Sequence, residues 1–424
     1  MFIYKKVCNI KKTNNLVVFI TTSQSPHLEA SIDYFHRNAN FYKEIYFVNL
    51  LPCARYRNEY TWRTYVDFKT NIIRKLRNSF LKKIYLKIFL YKNGFKKISL
   101  KNNYHLHISS NDYFPILKTY SMTEFRTAAL ISNKYEKLIV KTIKDTFNHV
   151  KNILKNINLK KSDSFLIFNG RHPIEYSIRH VLYKNGYKKI TYHECNNYAP
   201  KIYFTNFQIH NLKKYHSYIQ EYKNSNNFLL KRWKNNKNLN NRFLKKKYVS
   251  FFTSSFDEYA FAYTKPINQS LLISNLLKFS NKIPLKIRVH PNTKNKSQQD
   301  MNYWNYLKKN YPDVIINYDE DINSYDLIKE SFFTSSIGSS IAPESIMIGV
   351  NHLLCGNQHM YDGFNFFYKS SEDNFINIIL DMYKKRDLLK RISEEDKEFA
   401  AASQLFIRDI GHEIELAPLG RYPF

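Results

Sequence analysis

The chain has 424 residues, with 66 Lys and Arg against 35 Asp and Glu, a formal net charge of +31. Hydrophobic residues make up 43% and aromatic residues 16%, which excludes a disordered chain, and the length suits two domains. Only nine glycines occur, with no G-x-G-x-x-G and no G-x-x-x-x-G-K-[ST], which excludes collagen-like chains and argues against Gly-loop dinucleotide enzymes and P-loop NTPases.

In chain order, the first elements predict an α/β unit. LVVFI at 16–20 reads as a buried parallel strand, Thr21–Pro26 as a polar turn, and HLEASIDYFHRN at 27–38 as a helix with Leu28, Ile32 and Phe35 on one face. EIYFVNL at 44–50 is the next strand, so strand, helix and strand predict a right-handed crossover. Residues 68–111 contain no acidic residue. Within them Ile73, Leu76, Phe80, Ile84 and Ile88 recur at helical spacing, with Arg74, Lys75, Arg77, Lys82, Lys83 and Lys87 on the other faces. Such a helix either packs on the core, lies on an anionic membrane leaflet, or meets nucleic acid.

The βα pattern resumes with SFLIF at 164–168, the turn NGRHP at 169–173, a helix over 174–184, and a strand over 189–193 that ends at Glu194. Residues 206–247 turn Lys- and Asn-rich and read as a connecting segment, partly helical. A second α/β unit opens with YVSFFT at 248–253. A helix over 267–279, the strand LKIRV at 285–289, a helix over 300–310, a strand over 314–318, a helix over 322–331 and a short strand at 332–334 follow. The turn Ser335–Ser340 opens a helix over 341–348, a strand covers 352–355, and helix dominates from 372 to about 408. Asp319–Asp321 (DED) precedes a helix and is read as its cap rather than as a metal motif.

Cys8, Cys53, Cys195 and Cys355 lie far apart, which suits a reducing compartment and neither a disulfide framework nor a zinc site. The N-terminus MFIYKKVCNIKKTNN lacks the apolar core of a signal peptide, and no run reaches the roughly 18 apolar residues of a membrane span. A cytoplasmic location is expected. The positive charge has two readings, a nucleic-acid or anionic-membrane surface, and the Lys-, Asn-, Ile-, Tyr- and Phe-rich composition of an AT-rich coding sequence.

Candidate chemistry gathers at predicted strand ends, where open parallel sheets bind ligands. RVHP places Arg288 and His290 at such an end. TSSIGSSIAPES follows a strand and opens a helix, so its backbone N–H groups, the helix dipole and the hydroxyls of Ser335, Ser336, Ser339 and Ser340 form an anion site. Gly338 is expected to supply the turn's freedom, and Glu344 on the first turns of the helix to reach a ribose hydroxyl. In the first half, His27, Asn169, Gly170, Arg171 and Glu194 occupy comparable ends.

The order S-S-x-D-E, R-x-H-P and S-S-x-G-x-x-x-x-x-E-S-x-x-x-G over roughly residues 15–385 resembles bacterial surface-polysaccharide glycosyltransferases of GT-B architecture. Capsule-type Kdo transferases, bacterial sialyltransferases and related capsule synthesis proteins are the groups in point. The resemblance implies an α/β fold of two Rossmann-like domains facing an interdomain cleft. Residues 1–205 would form the acceptor domain, 206–247 the connection, 248–385 the nucleotide-sugar domain and 386–424 a C-terminal helical segment. It implies that His290 contacts the donor phosphate, with Ser335, Ser336, Ser339 and Ser340 around the same group and Glu344 on the ribose. Asp257 or Glu258 would match the paired acidic motif, one of them as general base. Here Tyr259 follows where the sialyltransferase pattern ends in Gly. Asn169, Gly170, Arg171 and Glu194 would lie across the cleft. The implied donor is a nucleotide sugar, CMP-linked Kdo or nonulosonate, used without metal or other cofactor, and the acceptor a glycan or lipid-linked glycan at the inner membrane face. Teichoic-acid glycerophosphotransferases using CDP-glycerol share the architecture and form the alternative, and a basic nucleic-acid-binding protein is the other class. No recognisable nucleic-acid module is present, so nucleic acid is not the expected partner.

Overall fold

Leu16–Ile20 is buried along its whole length, as a strand covered on both faces must be, and it is the centre of the first of two units. The computed structural model describes residues 2–21, 27–50, 84, 86–98, 133–170, 173–195, 201–206, 212–237, 239, 244–254, 269–291, 293, 298–356, 361, 363–409 and 411–413. The chain divides into Met1–Ile209 with Ile410–Phe424, and His210–Asp409.

The first unit runs β1 (Phe2–Val7), β2 (Leu16–Ile20), α1 (His27–Asn38), β3 (Glu44–Asn49), β4 (Lys96–Ile98), α2 (Asn133–Asn156), β5 (Ser164–Phe168), α3 (Pro173–Lys184), β6 (Ile190–Cys195) and β7 (Lys201–Thr205). The strand order is β14-β7-β6-β5-β2-β3-β1-β4, where β14 is His412–Glu413. The inner four strands are parallel, and antiparallel β1 and β4 flank one side, β7 and β14 the other. Strand alternation divides the core. Val17, Phe19, Phe165 and Ile167 pack with Ile143, Phe147, Val150 and Ile153 of α2 and Ile174, Ile178, Val181 and Leu182 of α3. Leu16, Val18, Ile20 and Leu166 pack with Leu28, Ile32 and Phe35 of α1, the predicted face, and with Leu86, Phe89 and Leu90 of a short helix over 86–92. The chain steps from β2 to β3 on one side and then to β5 on the other, so the order reverses between β2 and β5.

The second unit begins with α4 (Leu212–Asn224) and α5 (Leu229–Asn236), then β8 (Tyr248–Phe252), α6 (Gln269–Leu277), β9 (Leu285–Arg288), α7 (Gln298–Asn310), β10 (Ile315–Ile316), α8 (Ser324–Lys329), β11 (Ser331–Ser336), α9 (Ile341–Ile348), β12 (His352–Cys355), β13 (Tyr368–Ser370), α10 (Phe375–Lys384) and α11 (Glu394–Asp409). Its sheet is β10-β9-β8-β11-β12-β13, parallel throughout. Counted within the unit this is the order 3-2-1-4-5-6 of a dinucleotide-type doubly wound fold, reversing between β8 and β11. Val249, Phe251, Ile287, Phe333 and Leu353 centre its core. The protein is therefore α/β, with two doubly wound units.

Residues 210–247, read from sequence as connection, group with the second unit. Ile219, Leu229, Leu230 and Trp233 are buried, and Lys223 pairs with Glu395 at 3.0 Å. Tyr222 and Arg232 both bond Asp409 of α11. The C-terminal helix likewise belongs there up to Asp409, after which the chain returns to the first sheet. The helical stretch expected from 372 is broken at 385–393.

Candidate functional site

The strand order reverses between β8 and β11, the point at whose carboxyl ends such sheets bind ligands, and the sequence fills those ends with hydroxyls. Thr253 donates its backbone N–H to the Arg288 carbonyl (3.0 Å), and its Oγ1 accepts the His290 N–H (2.9 Å). Buried Gln269 then holds Ser254 as a strand neighbour would, its Oε1 accepting the Ser254 N–H (2.9 Å) and its Nε2 donating to the Ser254 carbonyl (3.1 Å). The Ser254 hydroxyl is buried there without a hydrogen-bond partner.

Under the Ser-rich turn runs a directional relay through His352, whose ring is fully buried. Ser345 spends its one hydroxyl proton on the Ile341 carbonyl (2.8 Å), so the Thr334 hydroxyl donates to Ser345 Oγ (2.8 Å). Thr334 Oγ1 must then accept from His352 Nδ1 (2.8 Å), which assigns the proton to Nδ1 and leaves Nε2 to accept the Ser336 hydroxyl (3.0 Å). Ser336 Oγ in turn accepts the Ser339 N–H (3.4 Å). The Asn351 carbonyl, 3.4 Å from Thr334 Oγ1, is a second acceptor for the Thr334 proton.

That relay sorts the predicted serines. Ser335 Oγ donates to the Ser250 carbonyl (3.3 Å) and Ser336 to His352, so both protons point into the protein. Ser339 accepts the Ile341 N–H (3.3 Å) and keeps its own proton, and Ser340, at the N-cap of α9, is exposed with no side-chain cap bond. Gly338 stands in the same turn, between Ser336 and Ser339. Arg288, expected on the donor, is buried and gives Nη1 to the Asn317 carbonyl and Nη2 to that of Glu320 (3.0 Å). It pins the loop after β10. Within that loop Glu320 accepts the Asn317 N–H (2.6 Å) and pairs with Lys308 (2.9 Å), while the α8 cap is Asn323, accepting the Tyr325 N–H at 2.8 Å. The DED run therefore does not cap α8.

Glu344 sits in the first turn of α9, 8% exposed, with Tyr325 Oη at 3.4 Å and Lys237 Nζ at 3.9 Å from Oε1. Burial pushes its carboxyl up to about 7, against the opposing pull of Lys237 and Tyr325.

The first unit has its own polar cluster at the reversal between β2 and β5. Thr21, just past β2, donates to buried Glu175 in the first turn of α3. Asn169, just past β5, has φ of +50°, a left-handed backbone that asparagine tolerates and most residues do not. Its side-chain N–H donates to Glu194, while its Oδ1 is buried without a partner. Gly170 follows at φ +75°, and a Cβ there would lie 2.5 Å from the Tyr192 ring. His27 packs its ring 3.8 Å from Phe168 and 6.0 Å from His193. Buried His193 has an unpartnered Nδ1, and desolvation pushes its pKa down to about 3, so the ring is neutral. The structure thus brings His27, Asn169, Gly170 and Glu194 together within one unit. In the other, Ser336, Gly338, Ser339 and Ser340 share the turn after β11, and His290 follows β9, two strands away across β8.

Asp257, Glu258 and Arg171 lie outside the described residues, as does most of 68–111. Sequence reasoning passed over Thr253, Gln269 and His352 in the second unit and Thr21 and Glu175 in the first, and it gave Ser254, Thr334 and Ser345, which lie in its motifs, no role of their own. The period-2 spacing of Thr334 and Ser336 was the one visible signal, and it points at His352 only once the register of β11 on β12 is known. Among the described residues no group of three or more His, Cys, Asp or Glu side chains could hold a metal ion. No helix among them is long and apolar enough to cross a membrane.

No family model and no curated protein matches the chain. Solved structures with some likeness include a KpsC β-Kdo 2,7 transferase of Thermosulfurimonas dismutans, at 13% identity and TM-score 0.34, covering 60% of this chain and 80% of that one. A KpsC β-Kdo 2,4 transferase of the same organism gives 12% and 0.37, covering 57% and 79%. The UDP-GlcNAc 2-epimerase of Neisseria meningitidis, bound to UDP-GlcNAc, gives 11% and 0.26, covering 66% and 83%. Likenesses this slight carry no weight for function, which has to rest on the chain's own residues.

Proposed function

We propose that this chain is a cytoplasmic GT-B-type glycosyltransferase of bacterial surface-polysaccharide synthesis. The observation that carries the reading is the parallel 3-2-1-4-5-6 sheet of the second unit, with RVHP and the Ser-rich turn at the carboxyl ends where such sheets hold nucleotides. The donor would be a nucleotide sugar, CMP-linked Kdo or nonulosonate, and the acceptor a glycan or lipid-linked glycan.

Glycosyl transfer needs a stabilised leaving phosphate and a base for the acceptor hydroxyl. Ser339, Ser340, the N-terminus of α9 and His290 supply the first in this reading, with Ser254 as a further hydroxyl at the same strand ends. Ser336 and His352 support the turn from below, and Arg288 holds the loop after β10. Asp257 or Glu258 would take the acceptor proton, and His27, Asn169, Gly170, Arg171 and Glu194 would bind the acceptor. Neither a metal nor another cofactor is required by this scheme.

Titration calorimetry with CMP, CDP, UDP and GDP tests the reading, with CMP expected to bind most tightly. Absence of binding by all four to folded protein refutes it. Mass spectrometry of the product separates a glycoside from the phosphodiester that a CDP-glycerol enzyme would make.

A further inference from the structure

The acid-free stretch 68–111 predicted a helix whose apolar residues include Ile84 and Ile88. In the structure those two are not the residues that pack inward. Leu86, Phe89 and Leu90 enter the core beside Phe35 and Phe47, whereas Ile84, Ile88 and Tyr91 remain 38%, 46% and 86% exposed. Positions i, i+4 and i+7 share one face of a helix, so the three form a single outward apolar stripe opposite the buried one. Lys87 and Lys92 flank it on either side, and Lys96 stands exposed on β4 just beyond. β4 pairs with β1 so that Lys96 faces Lys5.

We infer that this stripe is a docking surface for an anionic lipid bilayer. An apolar band with a tyrosine, bordered on both sides by lysines and with no acidic residue between 68 and 111, is the pattern of a helix lying in the headgroup plane. The lysine stems extend along the acyl boundary while their ammonium groups reach lipid phosphates. Nucleic acid would use the charges but leave the isoleucines in water. A helix packed wholly on its own core would have turned them inward. The inference stands independently of the reaction the protein catalyses.

Co-sedimentation with phosphatidylcholine vesicles, with and without phosphatidylglycerol, tests it on the full chain. The protein is expected to sediment with the anionic vesicles and to be released as salt rises. The variant K87Q/K92Q should bind those vesicles roughly thirtyfold more weakly, at about fivefold per lysine. I84S/I88S/Y91S should lose binding with an unchanged circular dichroism spectrum and melting temperature, since all three side chains are exposed. Equal binding to both vesicle types, or undiminished binding by either variant, overturns the inference. So does wild-type self-association in the absence of lipid that the serine variant abolishes, because it would assign the stripe to a second copy of the chain.

Discussion

Replacing Glu344 by Gln keeps the shape of the side chain and removes its proton equilibrium. Folding moves that carboxyl from 4.5 to about 7, with burial as the cause. A group whose pKa is raised on folding stabilises the native state in its protonated form. The contribution is complete below pH 4.5 and is lost as pH rises through 7. That rise corresponds to roughly 3 kcal/mol in all, of which about 1 kcal/mol disappears between about pH 6 and pH 8. The assay is urea unfolding of wild type and Glu344→Gln across that range, taking the difference at each pH so that other titrating groups cancel. Wild type should lose about 1 kcal/mol relative to the variant over those two pH units. Adding Lys237→Met, which removes the ammonium 3.9 Å away, should steepen the loss. Parallel curves, or a wild type that gains on the variant as pH rises, refute the reasoning, the second because Glu344 would then fold as an ionised partner of Lys237.

Three further outcomes follow from the site geometry. His352→Phe strands the buried Thr334 and Ser336 hydroxyls and should cost roughly 2–4 kcal/mol in urea unfolding, while nitrogen-15 NMR of the wild type should find the proton on Nδ1; a proton on Nε2 breaks the relay. Gly170→Ala forces a Cβ against Tyr192 at a left-handed φ and should destabilise by roughly 2–4 kcal/mol, so an unchanged melting temperature contradicts the close approach. His290→Ala should lower turnover by roughly a hundredfold with an unchanged circular dichroism spectrum, and wild-type turnover would remove His290 from the donor phosphate.

The inner strands were legible in the sequence because a strand buried on both faces is an unbroken apolar run. LVVFI, SFLIF and YVSFF stand at the predicted positions. The flanking strands were not. FIYKKV and KIYFT belong to the antiparallel flanks of the sheet, where lysines break into the apolar run. Helix was legible in part of the Lys- and Asn-rich 206–247, but its place in the second unit was not, because that rests on a few buried apolar residues, Ile219, Leu229, Leu230 and Trp233 among those described, that seat the two helices on α11. In the site, strand ends marked His290, Asn169, Gly170 and Glu194. What each side chain bonds there depends on neighbours distant in sequence: Arg288 reads as a ligand until Asn317 and Glu320 are seen to hold it, and His352 is invisible until β12 lies beside β11.

The two-residue strand β14 gives the first sheet an unusual schedule of assembly. Seven of its eight strands lie within the first 205 residues, and the eighth begins at His412, after the whole second unit. During synthesis β7 therefore stands as an open edge while about 200 residues are added, roughly 10–40 s at the usual pace of translation. For that interval the chain carries an unpaired strand that another nascent chain could extend. The closing residues seal it by a contact that tolerates little variation: Gly411 has φ of +97°, and any Cβ there would meet the Ile202 carbonyl at 2.6 Å.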